Sequence, residues 1–567
     1  MDMQRLIAVA RGDAHADLLL TNARVVNTFT GEIEETSVAV AEGRVAGVGD
    51  YSRARRTEDL GGRYLAPGLI DGHVHIESSM LHVDQYARAV VPHGTVAAVT
   101  DLHEITNVCG LAGMRYIMEC GRRVPLDLFF MVPSCVPATD METSGATLTP
   151  ADIRRALRWG GVLGLGEVMS FPAVINGEGQ ALEKLRAVGV RVRDGHAPRV
   201  RGRDLNAYLC PLIGSDHETT EYEEGLEKLR RGMHLMIREG SAEKNLEALL
   251  PLVTDQTYHR CMLVVDDRNA LDLRRDGDVD AVVRKAIRLG LDPVRAVTLA
   301  SLNPARYFGL EGYGAVAPGY WAHLLVISDL EGFQVDEVYY RGRRVSAGGR
   351  TTFRTTLPVP GWITRTVNVR PFGPEALAVK AQGERVPVIE IVPGQIVTRW
   401  AQEAPTRRDG AVVADPERDL AKLVVVERHR GTGNIGTALV RGFGLKRGAI
   451  GTSVAHDSHN IVVAGVSDED ILAVATEIQA NQGGLACAVD GRVTASLPLP
   501  IAGLVSPEPL DAVADMLETL ERASQDLGCE LDSPYSVLSF LALPVIPELK
   551  LTDKGLVDVM AGRLLDG

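Results

Sequence analysis

The central block of the chain, residues 65–309, alternates short apolar runs with amphipathic runs, and this alternation limits the fold more than any other feature. Apolar runs typical of strands lie near residues 65–70, 95–100, 126–132, 162–166, 190–193, 211–213, 235–237 and 261–265. Helical patterns lie between most of them, for example at residues 151–159 and 181–187. Eight β/α repeats in about 245 residues are the size of a (β/α)8 barrel. The sequence therefore predicts an α/β protein built on a TIM-type barrel.

Two segments that flank this block consist of short strands and tight turns instead. Residues 1–64 carry alternating apolar runs, two of which are joined at Glu42-Gly43, a hairpin signal. Residues 310–359 repeat the same pattern. We expect the two segments to combine into one small β-sandwich domain beside the barrel.

The last part of the chain, residues 360–567, mixes hairpin-like runs with helical patterns near residues 468–479 and 510–525. This mixture predicts a C-terminal α+β domain. Its glycine-rich stretch at residues 431–436 is not a phosphate-binding loop, because no Gly-Lys-Ser/Thr follows it.

Composition excludes several classes of partner. The 567 residues carry a formal net charge of −14, whereas binding a nucleic acid requires clustered Lys and Arg. The seven cysteines are scattered and none has C-x-x-C spacing, so we expect no disulfide framework, no structural zinc site and a cytoplasmic location. No signal peptide is apparent, and no apolar stretch reaches the roughly 18 residues of a membrane span.

Polar residues follow nearly every predicted barrel strand, at the end where barrel active sites form. The first strand leads into His73 and His75. Residues i and i+2 of an extended chain face the same way, so both imidazoles point into the barrel mouth and could hold one divalent metal. An H-x-H pair alone is equally compatible with two buried histidines bonded to the backbone.

Four further strand ends carry candidate metal ligands, which are Glu167, His196, His217 and Asp266. Each alone could be a helix cap or a hydrogen-bonded side chain. Together with the H-x-H pair they form a nitrogen and oxygen set able to hold two divalent ions. The set predicts a metal-dependent hydrolase, because a metal lowers the pKa of bound water to near neutrality.

Two carboxyl groups at this mouth are candidates for moving protons. Asp266 would lie beside the nucleophile, as both ligand and proton shuttle. Glu218 follows His217 directly and could protonate the substrate, or it could be a first-turn helix glutamate favoured by the dipole.

The order of these motifs resembles the amidohydrolase superfamily, and within it the adenine deaminase family. The resemblance lies in PGLIDGHVHIESSM at residues 67–80, and it extends to the segments 101–105, 166–169, 194–198, 204–208, 215–218 and 538–553. It covers nearly the whole chain. The sequence departs from the family pattern at Leu102, where a proline is usual, at residues 134–137, and at His323, where an aspartate is common.

The resemblance implies hydrolysis of adenine to hypoxanthine and ammonia, with a role in purine salvage. It implies two divalent metal ions, manganese or iron with zinc as an alternative, held by His73, His75, Glu167, His196, His217 and Asp266. Glu167 would stand where many relatives carry a carboxylated lysine. The partners are then adenine and water, and we expect a homodimer because symmetric dimers are the commonest oligomers.

Two sets of polar residues allow several interpretations. His103 and Glu104 follow the second strand, and they could bind further metal, position substrate or make structural hydrogen bonds. His456, Asp457 and His459 form a dense polar cluster in the C-terminal domain. This cluster could close over the barrel mouth and exclude water, or it could be a polar turn.

Two other functions compete with adenine deamination. One is hydrolysis of another aminopurine or of a cyclic amide, which would use the same metals and break a different bond. The other is a non-catalytic barrel that serves in assembly, and it predicts missing ligands, whereas all six positions are filled. A nucleic-acid editor is disfavoured by the net charge, and the H-x-E and P-C-x-x-C signature of zinc-dependent base editors is absent.

Overall fold

The computed structural model describes residues 2–380, 383–408 and 410–565. Parts of the predicted segments 1–64 and 360–567 therefore lie outside the described residues, namely 1, 381–382, 409 and 566–567. The chain begins with one helix and five strands: α1 (Met3–Ala10), β1 (Leu18–Asn27), β2 (Glu32–Ala41), β3 (Arg44–Gly49), β4 (Thr57–Asp59) and β5 (Tyr64–Pro67). Glu42 and Gly43 both have positive φ, 54° and 73°, as a tight hairpin turn requires. The predicted hairpin between β2 and β3 is confirmed.

Eight parallel strands follow: β6 (Leu69–Val74), β7 (Thr95–Asp101), β8 (Asp127–Val132), β9 (Val162–Val168), β10 (Val192–Gly195), β11 (Ser215–Asp216), β12 (His234–Arg238) and β13 (Cys261–Val264). β6 to β10 form one sheet and β11 to β13 another. The Asp266 amide donates to the His73 carbonyl at 3.0 Å, and the Gly214 amide donates to the Arg193 carbonyl at 2.9 Å. These bonds join the two sheets at both edges, which confirms the predicted barrel.

The helices around the barrel are α2 (Val83–Val90), α3 (His103–Gly121), α4 (Pro150–Ala156), α5 (Phe171–Ile175), α6 (Gly179–Ala187), α7 (Gly202–Leu209), α8 (Tyr222–Arg230), α9 (Leu246–Leu249), α10 (Ala270–Asp276), α11 (Val279–Arg288), α12 (Pro293–Leu299) and α13 (Leu302–Phe308). The helices predicted at residues 151–159 and 181–187 correspond to α4 and α6. Alternate strand residues, among them Ile70, Val99, Met131, Met236 and Val264, fill the barrel interior.

Two predicted strands differ from the observed ones. The run at residues 65–70 is divided, because β5 belongs to the flanking sheet and β6 begins only at Leu69. The strand predicted at residues 211–213 is wrong in position, and β11 lies at Ser215–Asp216. Leu212 explains the error, because this apolar residue is 76% exposed and has a φ of 63°. Only Ile213 of this apolar run is buried, and it lies just before the strand.

After the barrel the chain returns to the first sheet with β14 (Leu324–Asp329), β15 (Gln334–Tyr340), β16 (Arg343–Ala347) and β17 (Arg350–Thr351). β14 pairs antiparallel with β5, giving one nine-stranded sheet in the order β17-β16-β15-β14-β5-β1-β2-β3, with β4 beside β1. Leu20, Val25, Val38, Leu324 and Val326 belong to the hydrophobic core that the two segments share. The two flanking segments therefore combine, as predicted.

The C-terminal part contains ten strands before its last helices: β18 (Val386–Ile391), β19 (Thr398–Glu403), β20 (Arg407–Arg408), β21 (Ala411–Val412), β22 (Ala421–Val426), β23 (Ile435–Arg441), β24 (Ala449–Thr452), β25 (Ile461–Gly465), β26 (Gly484–Val489) and β27 (Arg492–Pro498). The helices are α14 (Asp468–Ala480), α15 (Leu510–Asp526) and α16 (Pro534–Phe540), and a small sheet of β28 (Leu549–Thr552), β29 (Gly555–Asp558) and β30 (Arg563–Leu564) follows. Eight of the strands form one sheet in the order β19-β18-β23-β22-β25-β24-β26-β27. The predicted α+β architecture is confirmed.

The C-terminal part lies against the barrel through backbone bonds and buried side chains. The His82 amide donates to the Ser506 carbonyl at 2.9 Å, and the Ser506 amide donates to the Met80 carbonyl at 2.8 Å. The Thr143 amide donates to Asp553 Oδ1 at 2.8 Å. These contacts lie near the carboxyl ends of the barrel strands, so this part of the chain covers the barrel mouth. Among the described helices, none is long and apolar enough to cross a membrane.

Candidate metal centre

The six predicted ligands come together at the barrel mouth. All six side chains are buried, and all of them except His73 line one cavity together with residues of the C-terminal part. His73 lies on β6 and Glu167 on β9, while His75, His196, His217 and Asp266 lie one or two residues beyond the ends of their strands. Strand ends therefore position every member of the set.

Glu167 lies between two pairs of histidines. Its Oε1 is 2.9 Å from His75 Nε2 and 3.4 Å from His73 Nε2. Its Oε2 is 2.8 Å from His196 Nδ1 and 3.4 Å from His217 Nε2. One carboxylate thus faces two separate pairs of imidazole nitrogens, the arrangement expected of a ligand shared by two ions.

Asp266 completes the first of these two half-sites. Its Oδ1 lies 3.4 Å from His73 Nε2 and 3.3 Å from His75 Nε2. Asp266 has a φ of 64°, in the left-handed region that few non-glycine residues adopt. Its amide and carbonyl bond to the backbone of His73 and His75. The same contacts that close the barrel therefore aim this carboxylate at the two histidines.

Gly166, which precedes Glu167, lies where there is no room for a side chain. A Cβ on Gly166 would lie 1.9 Å from Asp101 Oδ2, and that oxygen accepts the Glu167 amide at 2.9 Å. His75 Nδ1 lies 3.0 Å from the Asp101 carbonyl oxygen, which leaves His75 Nε2 facing the carboxylates. Asp101 thus orients one histidine and the shared carboxylate together.

The second half-site rests on a buried lysine. Lys228 Nζ donates to the Ala197 carbonyl at 2.7 Å, to Asp216 Oδ2 at 2.9 Å and to Glu224 Oε1 at 2.6 Å. The Ala197 amide in turn donates to Asp216 Oδ1 at 2.7 Å. Ala197 and Asp216 are the chain neighbours of His196 and His217, so Lys228 fixes the two loops that carry these ligands.

Charge in the cluster favours a bound cation. Burial acts to lower the pKa of His73, but Asp266 and Glu167 outweigh it and raise that pKa to about 10. Burial acts to raise the pKa of Glu167, but His217 and the other histidines hold it well below its ordinary value. His73 therefore carries a proton unless another cation replaces it. His73 Nε2 and Glu167 Oε1 have no hydrogen-bond partner within the described residues, and this nitrogen and oxygen set suits a divalent metal.

Arg238, at the end of β12, is a site residue that the sequence reasoning missed. Its Nη1 donates to Asp266 Oδ2 at 2.7 Å, and its Nη2 donates to Glu218 Oε2 at 2.9 Å. Burial acts to raise the pKa of Glu218, but Arg238 outweighs it and holds that pKa below its ordinary value. The sequence could have indicated Arg238, because this charged residue ends the seventh barrel strand just as acidic residues and histidines follow other barrel strands.

Two further groups of cavity residues were also missed. Burial raises the pKa of Glu243 to about 8, although Arg238 acts in the opposite direction. The apolar wall comes from the C-terminal part and consists of Ile396, Phe540, Leu543 and Ile546. The family resemblance included the segment 538–553 but did not indicate its place at the mouth, because only the tertiary fold brings these residues there.

The five residues left open by the sequence form one buried cluster beside the centre. His103 and Glu104 from the start of α3 meet His456, Asp457 and His459 from the C-terminal part. His103 Nδ1 lies 3.7 Å from Glu167 Oε1. The polar segment of the C-terminal part thus reaches the barrel mouth.

Comparison with known proteins gives matches along most of the chain. The model of the amidohydrolase family matches residues 64–345, and that of the adenine deaminase C-terminal domain matches residues 395–563. An adenine deaminase of Dehalococcoides mccartyi is 53% identical, covering 100% of this chain and 99% of that protein. An adenine deaminase of Archaeoglobus fulgidus is 47% identical, covering 100% and 98%. A solved β-aspartyl dipeptidase of Fervidobacterium islandicum is 16% identical with a TM-score of 0.47, covering 60% of this chain and 99% of that one.

Proposed function

The chain belongs to the adenine deaminase family of amidohydrolases, and we propose that its barrel mouth converts adenine and water to hypoxanthine and ammonia. The observation that supports this reaction best is the position of Glu167 between two histidine pairs, with Asp266 beside one of them. This donor set fits a pair of divalent ions, and it lies in a cavity with one apolar wall.

We assign His73, His75, Glu167 and Asp266 to one ion, and Glu167, His196 and His217 to the other. Manganese or iron is the proposed metal, with zinc as the alternative, since all three accept imidazole and carboxylate ligands. Such ions lower the pKa of water to near neutrality and so supply the nucleophile. The chain contributes the fixed ligand geometry and the exclusion of bulk water.

Asp266 is the proposed proton carrier. Water adds its oxygen to C6 of adenine, the C6–N6 bond breaks, and N6 leaves as ammonia. Asp266 Oδ1 takes one proton of the attacking water and passes it to the leaving nitrogen. The second water proton leaves the C6 oxygen as the carbonyl forms, and it replaces the proton that a carboxyl group gives to the ring nitrogen beside C6. Arg238 holds the other oxygen, Oδ2, and so keeps the carboxylate aimed at the reacting atoms.

Two carboxyl groups compete for protonating the ring nitrogen beside C6. Glu218, the residue expected for this role from the sequence, is paired with Arg238 and therefore ionised. Glu243 holds a proton near neutral pH, with a pKa of about 8. If Glu243 is the donor, Glu243→Gln should lower kcat by about 10²-fold or more, whereas Glu218→Gln should mainly raise KM. The reverse pattern would return the role to Glu218.

The deciding experiment is ammonia release from adenine by protein stripped with a chelator and reconstituted with manganese. We expect metal-dependent release with hypoxanthine as the second product. Asp266→Asn should abolish turnover while the circular dichroism spectrum and most bound metal are kept. Binding of two ions without release from adenine would overturn the substrate, and ring-opening assays with cyclic amides and assays of other aminopurines would then identify the reaction.

Several properties stay predictions with no structural test. They are the homodimer, the cytoplasmic location, the place in purine salvage, and the absence of nucleic-acid and membrane partners. The division into a domain of residues 1–64 and 310–359, a barrel of 65–309 and a C-terminal domain of 360–567 is likewise our proposal.

A further inference from the structure

We propose that the chain holds a third cation site, separate from the two half-sites around Glu167, between the start of α3 and the C-terminal part. Its ligands are His103, Glu104, His456 and Asp457. The cation is a divalent transition metal of the kind that binds imidazole and carboxylate together.

The ligand atoms have the spacing of a coordination shell. One atom from each of the four residues lies within 4.8 Å of all the others. Glu104 Oε1 is 3.2 Å from His103 Nε2 and 2.6 Å from His456 Nδ1, and Asp457 Oδ1 is 3.7 Å from His103 Nε2. Ligands about 2.1 Å from a tetrahedral metal lie about 3.4 Å from each other. The two separations from His103 Nε2 are close to this value, whereas the 2.6 Å between Glu104 Oε1 and His456 Nδ1 is a hydrogen-bond distance that a bound ion would widen.

His459 shows why Glu104 Oε1 is free for a cation. The Ala455 amide donates to His459 Nδ1 at 3.1 Å, so the neutral ring carries its proton on Nε2. That nitrogen contacts Glu104 Oε2. His459 therefore occupies one oxygen of Glu104 and turns the other toward His103 and His456.

The two ring nitrogens of His103 face different carboxylates. Its Nε2 faces the cluster, while its Nδ1 lies 3.9 Å from Asp101 Oδ2 and 3.7 Å from Glu167 Oε1. Both distances are longer than a hydrogen bond, and Nδ1 has no hydrogen-bond partner within the described residues. The same ring lies 4.5 Å from the His75 ring, centroid to centroid, so the third site adjoins the first half-site.

The surroundings contain further buried carboxyl groups. Glu77 and Glu142 are buried carboxyl groups close enough to Glu104 and Asp457 to interact with them electrostatically. Asp457 Oδ2 and both oxygens of Glu142 have no hydrogen-bond partner in the part of the chain that the structure describes. The nearby Arg428 donates to the Ala502 carbonyl rather than to a carboxylate. A divalent cation at this position would stabilise the ionised forms of these carboxyl groups.

Such a site would link the two parts of the molecule, because two ligands come from the barrel and two from the C-terminal part. The alternative is a protonated His456 paired with Glu104 and no ion. Metal content separates the two. We expect protein saturated with Mn²⁺ or Zn²⁺ and then desalted to retain three ions per chain, and anomalous diffraction at the metal edge to show a peak between Glu104 and His456.

Variants test the ligands independently of activity. His456→Asn and Asp457→Asn should each retain two ions per chain instead of three. His234→Asn, which replaces a partly buried histidine whose ring nitrogen lies 3.3 Å from the Gly214 carbonyl oxygen, should retain three. Two ions in the native chain with no anomalous peak in the cluster, or a third ion located elsewhere, would overturn the proposal. The anomalous map of the native chain decides even where a variant fails to fold.

Discussion

The side chains at the barrel mouth are oriented both by a missing side chain, at Gly166, and by the polar contacts of Asp101 and Arg238. Gly166 leaves space for the Asp101 carboxylate, which holds the Glu167 backbone and, through its own carbonyl, His75. Arg238 holds both Glu218 and Asp266. The proposed metal ligands and the proposed proton carrier therefore depend on a few further buried polar residues for their orientation.

At this scale we predict the effect of Gly166→Ala. The new methyl group would overlap Asp101 Oδ2 and push the carboxylate away from the Glu167 amide. Displacing the shared ligand by about 1 Å should lower kcat about 100-fold, with fewer ions retained per chain. The matched control is Gly160→Ala, because a Cβ there meets nothing within 4 Å. Equal activity and metal content in both variants would contradict the role given to Gly166.

At the scale of secondary-structure elements, strand β28 contains a fully buried lysine. Lys550 is fully buried, and its Nζ donates to the carbonyls of Ile396 and Phe540, each at 2.9 Å. Burial lowers the pKa of Lys550 from 10.5 to about 7. Both carbonyls belong to residues of the cavity wall, so this lysine joins β28 to the segments that cover the site.

The Lys550 pKa predicts a pH dependence of stability. Between about pH 7 and 10.5 the unfolded chain holds a proton on Lys550 that the folded chain has released. Unfolding therefore takes up a proton in this range, and the contribution of Lys550 to stability rises with pH. The difference in Tm between the native chain and Lys550→Met should shift in favour of the native chain from pH 7 to pH 9. A difference that is constant with pH would contradict the lowered pKa.

Strand periodicity was enough to predict most elements, and strand ends were enough to predict the six candidate ligands. Both signals are local, because a barrel strand buries its apolar residues and exposes its last residues at the mouth. The signal failed at residues 211–213, where Leu212 is apolar but exposed. It also gave no indication of Glu243 or of the apolar wall, since these positions depend on how a distant part of the chain packs.

At the scale of the whole molecule, the candidate active site belongs to two parts of the chain. The barrel supplies the charged floor of the cavity, and the C-terminal part supplies Ile396, Phe540, Leu543 and Ile546 above it. Phe540, Leu543 and Ile546 also form a small hydrophobic cluster with Ile396, Val397 and Val545. A flat purine placed over the metal ligands would meet this wall, so the C-terminal part should govern substrate binding more than chemistry.

Leu543→Ala tests this division of labour. Leu543 is 4% exposed and lines the cavity. Its side chain is apolar and therefore neither binds metal nor orients the proposed ligands through hydrogen bonds. Removing its side chain should raise KM for adenine about tenfold, equivalent to ~1.4 kcal/mol of binding, with kcat and bound metal close to the native values. Val545→Ala is the matched control, because Val545 packs against the same cluster without lining the cavity. If the two variants raised KM equally, the effect would come from loosening the cluster rather than from contact with substrate. If neither did, the wall would have no part in binding, and recognition of adenine would have to come from the polar groups of the cavity.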